Sequence, residues 1–127
     1  MVIFYSKSIR FLNIHLPWLL VMVLIALQSH ISGDNMGSSL RYSDKFTHFL
    51  VFGLLTWLIT RAVFKGENTF IQQNYFWFVL TVLAVFAIID EMHQYFTPGR
   101  ASEILDWLAD MSGAVVFLFI YKWRYRI

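Results

Sequence analysis

Four long apolar stretches separated by short polar ones set the plan of this chain. The first is a charge-free span from Phe11 to Gly33, built on LPWLLVMVLIALQSHIS, longer than the roughly 20 apolar residues that a bilayer-crossing helix needs at 1.5 Å rise. The second is the uncharged run Phe46 to Thr60, fifteen residues, which extends to about Ser43–Phe64 because Arg61 can carry its charge back to the interface. The third, Asn68 to Ile89, is the clearest, with twenty-two uncharged residues. The fourth reaches membrane length only if Asp106 and Asp110 are admitted to its outer part, since the uncharged portion Met111–Tyr121 is too short alone. The pattern predicts an all-α membrane protein of four transmembrane helices, at about 11–33, 43–64, 70–96 and 103–123, forming one domain over 1–127. Thr97-Pro98-Gly99-Arg100 is the turn between the last two.

Composition strengthens this picture. With 58% hydrophobic and 14% charged residues, the chain lies outside the range of soluble globular proteins. Lys7 and Arg10 before the first run resemble a signal-peptide start, but no small-residue cleavage site follows, so the run reads as a retained helix. The absence of cysteine excludes disulfides, thiol catalysis and thiolate metal ligands. Ten Lys and Arg are scattered rather than striped, which argues against nucleic acid and for a topological role. Lys7, Arg10, Arg61, Lys65, Lys122, Arg124 and Arg126 fall on one side and Arg41, Lys45 and Arg100 on the other. The positive-inside rule then places both termini in the cytoplasm and the turn at 97–102 outside.

The carboxylates change the picture most. Six of the eight, Asp44, Asp90, Glu91, Glu103, Asp106 and Asp110, gather at the outer ends of the last three spans. Asp44 and His48, Asp90 and Gln94, and Asp106 and Asp110 are each four residues apart, so each pair shares one helical face. A carboxylate at the centre of a membrane helix costs about 2.5–3.5 kcal/mol on insertion scales. Such residues therefore face partners or a polar cavity, and Asp90 is expected to face the second and fourth spans. Lys45 and Arg100 are the available cations, Arg100 suited to a bidentate pair with a carboxylate or a phosphate. Glu91, about 100° round from Asp90, points to another neighbour. Glu103 is a candidate partner of Arg100, whereas His15, His30 and His93 stand outside the expected site.

The ordered set Asp44-Lys45-x-x-His48-Phe49, Asp90-Glu91-x-x-Gln94, Pro98-Gly99-Arg100 and Asp106 with Gly113 after it closely resembles the VanZ-like family of small bacterial membrane proteins over about residues 40–117. Family members usually carry Asn where this chain has Asp110. The resemblance implies a role in resistance to the glycopeptide teicoplanin or in cell-envelope homeostasis, through binding of an envelope component. Asp44, Lys45, His48, Asp90, Glu91, Gln94, Arg100, Asp106 and Asp110 are then the ligand-binding candidates.

Two other readings stay open. An intramembrane enzyme acting on a lipid-linked envelope precursor would use Asp90 or Asp106 as acid or base with His48 as partner. Asp44, His48 and Asp106 offer oxygen and imidazole donors that suit several divalent cations, although no metalloprotease or phosphatase signature is present and no metal or cofactor is expected. Alternatively, the polar residues form a network that fixes helix register in a structural subunit of an envelope complex, with hydrogen bonds worth about 0.6 kcal/mol each on average. The bilayer is the expected partner, with a lipid-linked precursor or a glycopeptide as ligand. An oligomer stays open.

Overall fold

A computed structural model describes residues 6–30, 40–99 and 103–127, and the side chains of all of these except 40–43. The described residues form five helices, α1 (Lys7–Ser29), α2 (Leu40–Lys65), α3 (Thr69–Gln73), α4 (Tyr75–Tyr95) and α5 (Ile104–Tyr125), with no strand among them. Four are long and apolar enough to cross a membrane, α2 over Asp44–Lys65. Helices meet the demand of lipid, where every backbone N–H and C=O must be satisfied within its own segment.

The elements differ from the sequence reading in one instructive place. The expected third span divides into the short α3 and the long α4. Asn68 caps α3 by accepting from the Ile71 N–H at 3.1 Å, and Asn74 closes it, its side chain donating to the Phe70 carbonyl at 2.9 Å. Two asparagines, each able to bond locally to backbone, thus interrupt a run that apolarity alone makes continuous.

The core forms where α2, α4 and α5 meet. Phe52, Leu55 and Ile59 of α2 pack with Val79, Leu83 and Ala87 of α4 and Ala114 and Leu118 of α5, and Ile25 of α1 closes the cluster. Within it, the buried hydroxyls of Thr56 and Thr60 donate back to the carbonyls of Phe52 and Thr56, both at 2.7 Å, so neither needs a partner on another helix. The outer surface is the reverse of a soluble protein's. Leu16, Leu20, Val23, Leu24 and Leu27 of α1 are exposed, as a lipid-facing surface requires.

α2 packs more extensively on α5 than on any other helix, and Gly113 is the reason that they come so close. A Cβ at Gly113 would lie 2.1 Å from the Phe49 carbonyl oxygen, inside any tolerable contact. Close backbone approach at a small residue is a recurrent means of helix association in membranes, where van der Waals packing replaces the hydrophobic effect.

Candidate functional site

The antiparallel run of the helices brings the C-terminal ends of α1 and α4 beside the N-terminal ends of α2 and α5, and the polar residues collect there in two adjoining groups. The first lies between α2 and α5. Lys45 donates to Asp106 Oδ1 at 2.6 Å and to Glu103 Oε2 at 2.8 Å. One turn further into the bundle, His48 Nδ1 meets Asp110 Oδ1 at 2.9 Å. These contacts follow from the four-residue repeat on each helix: Asp44 and His48 share a face of α2, Asp106 and Asp110 share the facing side of α5, and Gly113 lets the two faces approach. One ligand atom from each of Asp44, His48 and Asp106 lies within 4.8 Å of the others.

The second group lies between α1 and α4. Ser29 donates its hydroxyl to Asp90 Oδ1 at 2.5 Å, and Gln94 donates to Asp90 Oδ2 at 3.0 Å. Thr97 donates to the Ser29 carbonyl at 3.0 Å, tying the end of α4 to the end of α1. Asp90 and Gln94 are almost fully buried, so both carboxylate oxygens are satisfied in an environment where an unpaired charge would be expensive. A cavity of about 20 Å³, lined by Ser29, Thr47, His48, Asp90 and Gln94 among others, joins the two groups. It has room for roughly one water molecule.

Asp90 faces the second span across the small cavity, but its hydrogen-bond partner on another helix belongs to the first span, which the sequence reading did not expect. Its hydrogen bonds run to α1 and to its own helix, and α2 reaches it only across the small cavity. Ser29 is the residue that sequence reading missed. Its hydroxyl also reaches the Ile25 carbonyl at 3.0 Å, an ordinary arrangement for serine in a helix, and nothing in its spacing announces a carboxylate across the bundle. Its position near the end of the first span, level with Asp90, is the signal that was available.

Glu91 turns away from Asp90 as its angular position requires. It borders a groove of about 380 Å³ between α4 and α5, together with Met92, Tyr95, Glu103, Ile104 and Trp107. Glu103 pairs with Lys45. Arg100, its expected partner and the expected counter-charge of the site, lies outside the described residues. His30 and His93, both set aside from the sequence, face each other with Nδ1 and Nε2 3.2 Å apart on the exposed rim. They link α1 to α4 one residue beyond Ser29.

Of the candidates, Lys45 pairs with Asp106 and His48 with Asp110, Asp44 lies within 4.8 Å of His48 and Asp106, and Asp90 and Gln94 form the neighbouring group. Chemically the arrangement pairs a cation with two carboxylates, an imidazole with a buried carboxylate, and a fully hydrogen-bonded carboxylate beside a water-sized space. No curated protein and no solved structure matches the chain. The model of the VanZ/LLP1 family matches residues 3–125, nearly every residue described above, and with the ordered acids, histidine and glycine now in their places, the chain belongs to that family.

Proposed function

We propose that the polar end of the bundle binds a component of the bacterial cell envelope at the outer face of the cytoplasmic membrane, and that this binding contributes to glycopeptide tolerance or envelope homeostasis. The observation that carries the reading is the gathering of Lys45, His48, Asp106, Asp110 and Asp90 at one end of a bundle whose flanks are apolar. Ionisable groups at membrane depth are retained for a purpose more often than not, because lipid disfavours them. Family membership supports the link to glycopeptide resistance. The seven-to-three division of Lys and Arg supports an outward orientation of this end, with both termini cytoplasmic. Glycopeptides act on that side of the membrane.

The test is drug susceptibility in a strain whose teicoplanin tolerance depends on this protein. Asp90→Ala and His48→Ala, each present in the membrane at the level of the parent, are expected to lose most of that tolerance. Unchanged susceptibility in both would remove the site from the function. Reporter fusions in the 97–102 turn check the orientation, and a cytoplasmic signal there overturns it.

A second reading draws on the His48–Asp110 pair beside the Asp90 cavity, an arrangement that can hold and pass a proton. It makes the protein an intramembrane enzyme acting on a lipid-linked precursor, with Asp90, Asp106 and His48 as the reacting groups. Turnover of lipid-linked pyrophosphate substrates by purified protein supports this reading, and its absence returns the site to binding alone.

A further inference from the structure

We propose that Asp44, His48 and Asp106 bind a single divalent cation of the first transition row, of the Zn²⁺ or Mn²⁺ class, between the N-terminal ends of α2 and α5. One donor atom from each residue lies within 4.8 Å of the others. Ligands held at about 2.0–2.2 Å from a tetrahedral ion stand about 3.3–3.6 Å apart, so the set closes with an inward side-chain movement of up to about 1.5 Å, shared between the half-buried Asp44 and its two partners. Asp44 and His48 stand one helical turn apart, the spacing by which a helix presents two ligands to one ion, and Asp106 completes three ligands from the facing helix.

The surroundings of the histidine point the same way. His48 Nδ1 is held by Asp110 at 2.9 Å, which fixes the ring and leaves Nε2 as the coordinating nitrogen. A metal-bound histidine usually has its other nitrogen on a carboxylate or carbonyl. The remaining oxygen of that carboxylate supplies a separate observation. Asp110 is fully buried, its side chain is directed at His48, and Oδ2 has no hydrogen-bond partner among the described residues. A buried carboxylate oxygen left in that state costs about 1–3 kcal/mol or more, which a nearby divalent charge and its water ligand offset.

Lys45 shares Asp106 with the proposed ion. Its ammonium takes Asp106 Oδ1 and Glu103 Oε2, so Asp106 Oδ2 remains as the coordinating oxygen. One imidazole with two carboxylates and no thiolate favours Zn²⁺, Mn²⁺ or Fe²⁺ over Cu⁺, and over the all-oxygen ions Mg²⁺ and Ca²⁺. The cation site stands apart from the identity of any envelope ligand and is read by different measurements.

Purified full-length protein in nanodiscs, stripped with chelator and dialysed against ZnCl₂ or MnCl₂, is expected to retain one ion per chain by elemental analysis and to unfold at a higher temperature. Asp44→Asn and His48→Gln are expected to abolish both responses. Asp44 is only half-buried, so the metal-free melting curve of its variant shows directly that it folds. Lys45→Met is expected to keep the ion, having lost no ligand. Asp110→Asn keeps an acceptor for His48 and is expected to weaken binding about 10–100-fold. Retention of no ion by the parent, or a thermal response that survives in the Asp44→Asn/His48→Gln double variant, overturns the site. Equal responses to Mg²⁺ and Zn²⁺ overturn the role given to the imidazole.

Discussion

The two ends of the bundle handle charge in opposite ways. At the end just described, Lys45 is about three-quarters covered and its partner Asp106 almost wholly so, and the ion pairs among the described residues there join α2 to α5 and its N-cap Glu103. At the opposite end Arg10 pairs with Glu67 at 3.2 Å while both remain largely exposed. Arg61 there reaches α1 through the side-chain and backbone oxygens of Asn13 at 3.0 and 3.2 Å. That end carries aromatic packing instead, with Trp57, Phe64, Tyr75 and Tyr121 in edge or stacked contacts, as expected of side chains with one apolar and one wet face at a membrane boundary. It also holds a larger cavity, about 300 Å³ and apolar, bordered by His15, Trp18, Ile59 and Ala62 among others. That volume exceeds the water-sized cavity beside Asp90 but not the groove of about 380 Å³ beside Glu91 at the polar end, so cavity size alone does not tell the two ends apart. Exposed charge at an interface is anchorage; buried, shared charge carries energetic consequences.

If that contrast is right, substitutions should rank by end and by burial. Gly113→Leu is expected to do the most damage, because its side chain meets the Phe49 carbonyl and forces α2 from α5. Overpacking of this kind costs about 3 kcal/mol or more, and unfolding in mixed micelles on addition of SDS measures it. Asp110→Ala should follow, with a loss of about 3 kcal/mol from breaking a buried pair and leaving His48 without its partner; the same titration checks it. Ser29→Ala removes one hydrogen bond from Asp90 and should lower stability by about 1 kcal/mol. Arg10→Ala at the opposite end should stay within about 0.5 kcal/mol of the parent, as exposed pairs do. A loss at Arg10 equal to that at Asp110 would erase the distinction between the ends.

The spans were legible in the sequence because lipid imposes a length on apolar runs, and an uninterrupted run of twenty residues has few other uses. Asp44, His48, Asp106 and Asp110 were legible for a related reason: a four-residue spacing fixes a common face before any neighbour is known. What the pattern could not supply was the neighbour. Whether Asp90 meets α1, α2 or α5 depends on how whole helices rotate against one another, and that is decided by contacts such as Gly113 on Phe49, which have no periodicity. The His30–His93 pairing was hidden for the same reason, and Ser29 offered only its level near the end of the first span. The division at Asn74 was missed because its asparagines bond only to nearby backbone and leave the apolar average unchanged.

The missing side chain at Gly113 also determines how the site is reached. With the backbones of α2 and α5 in contact one turn inward of Asp110, the seam between these helices is a wall rather than a door. Among the described residues, His48 borders the small cavity flanked by exposed Gln28 and Thr47, while the groove beside Glu91 and Trp107 is a separate opening between α4 and α5.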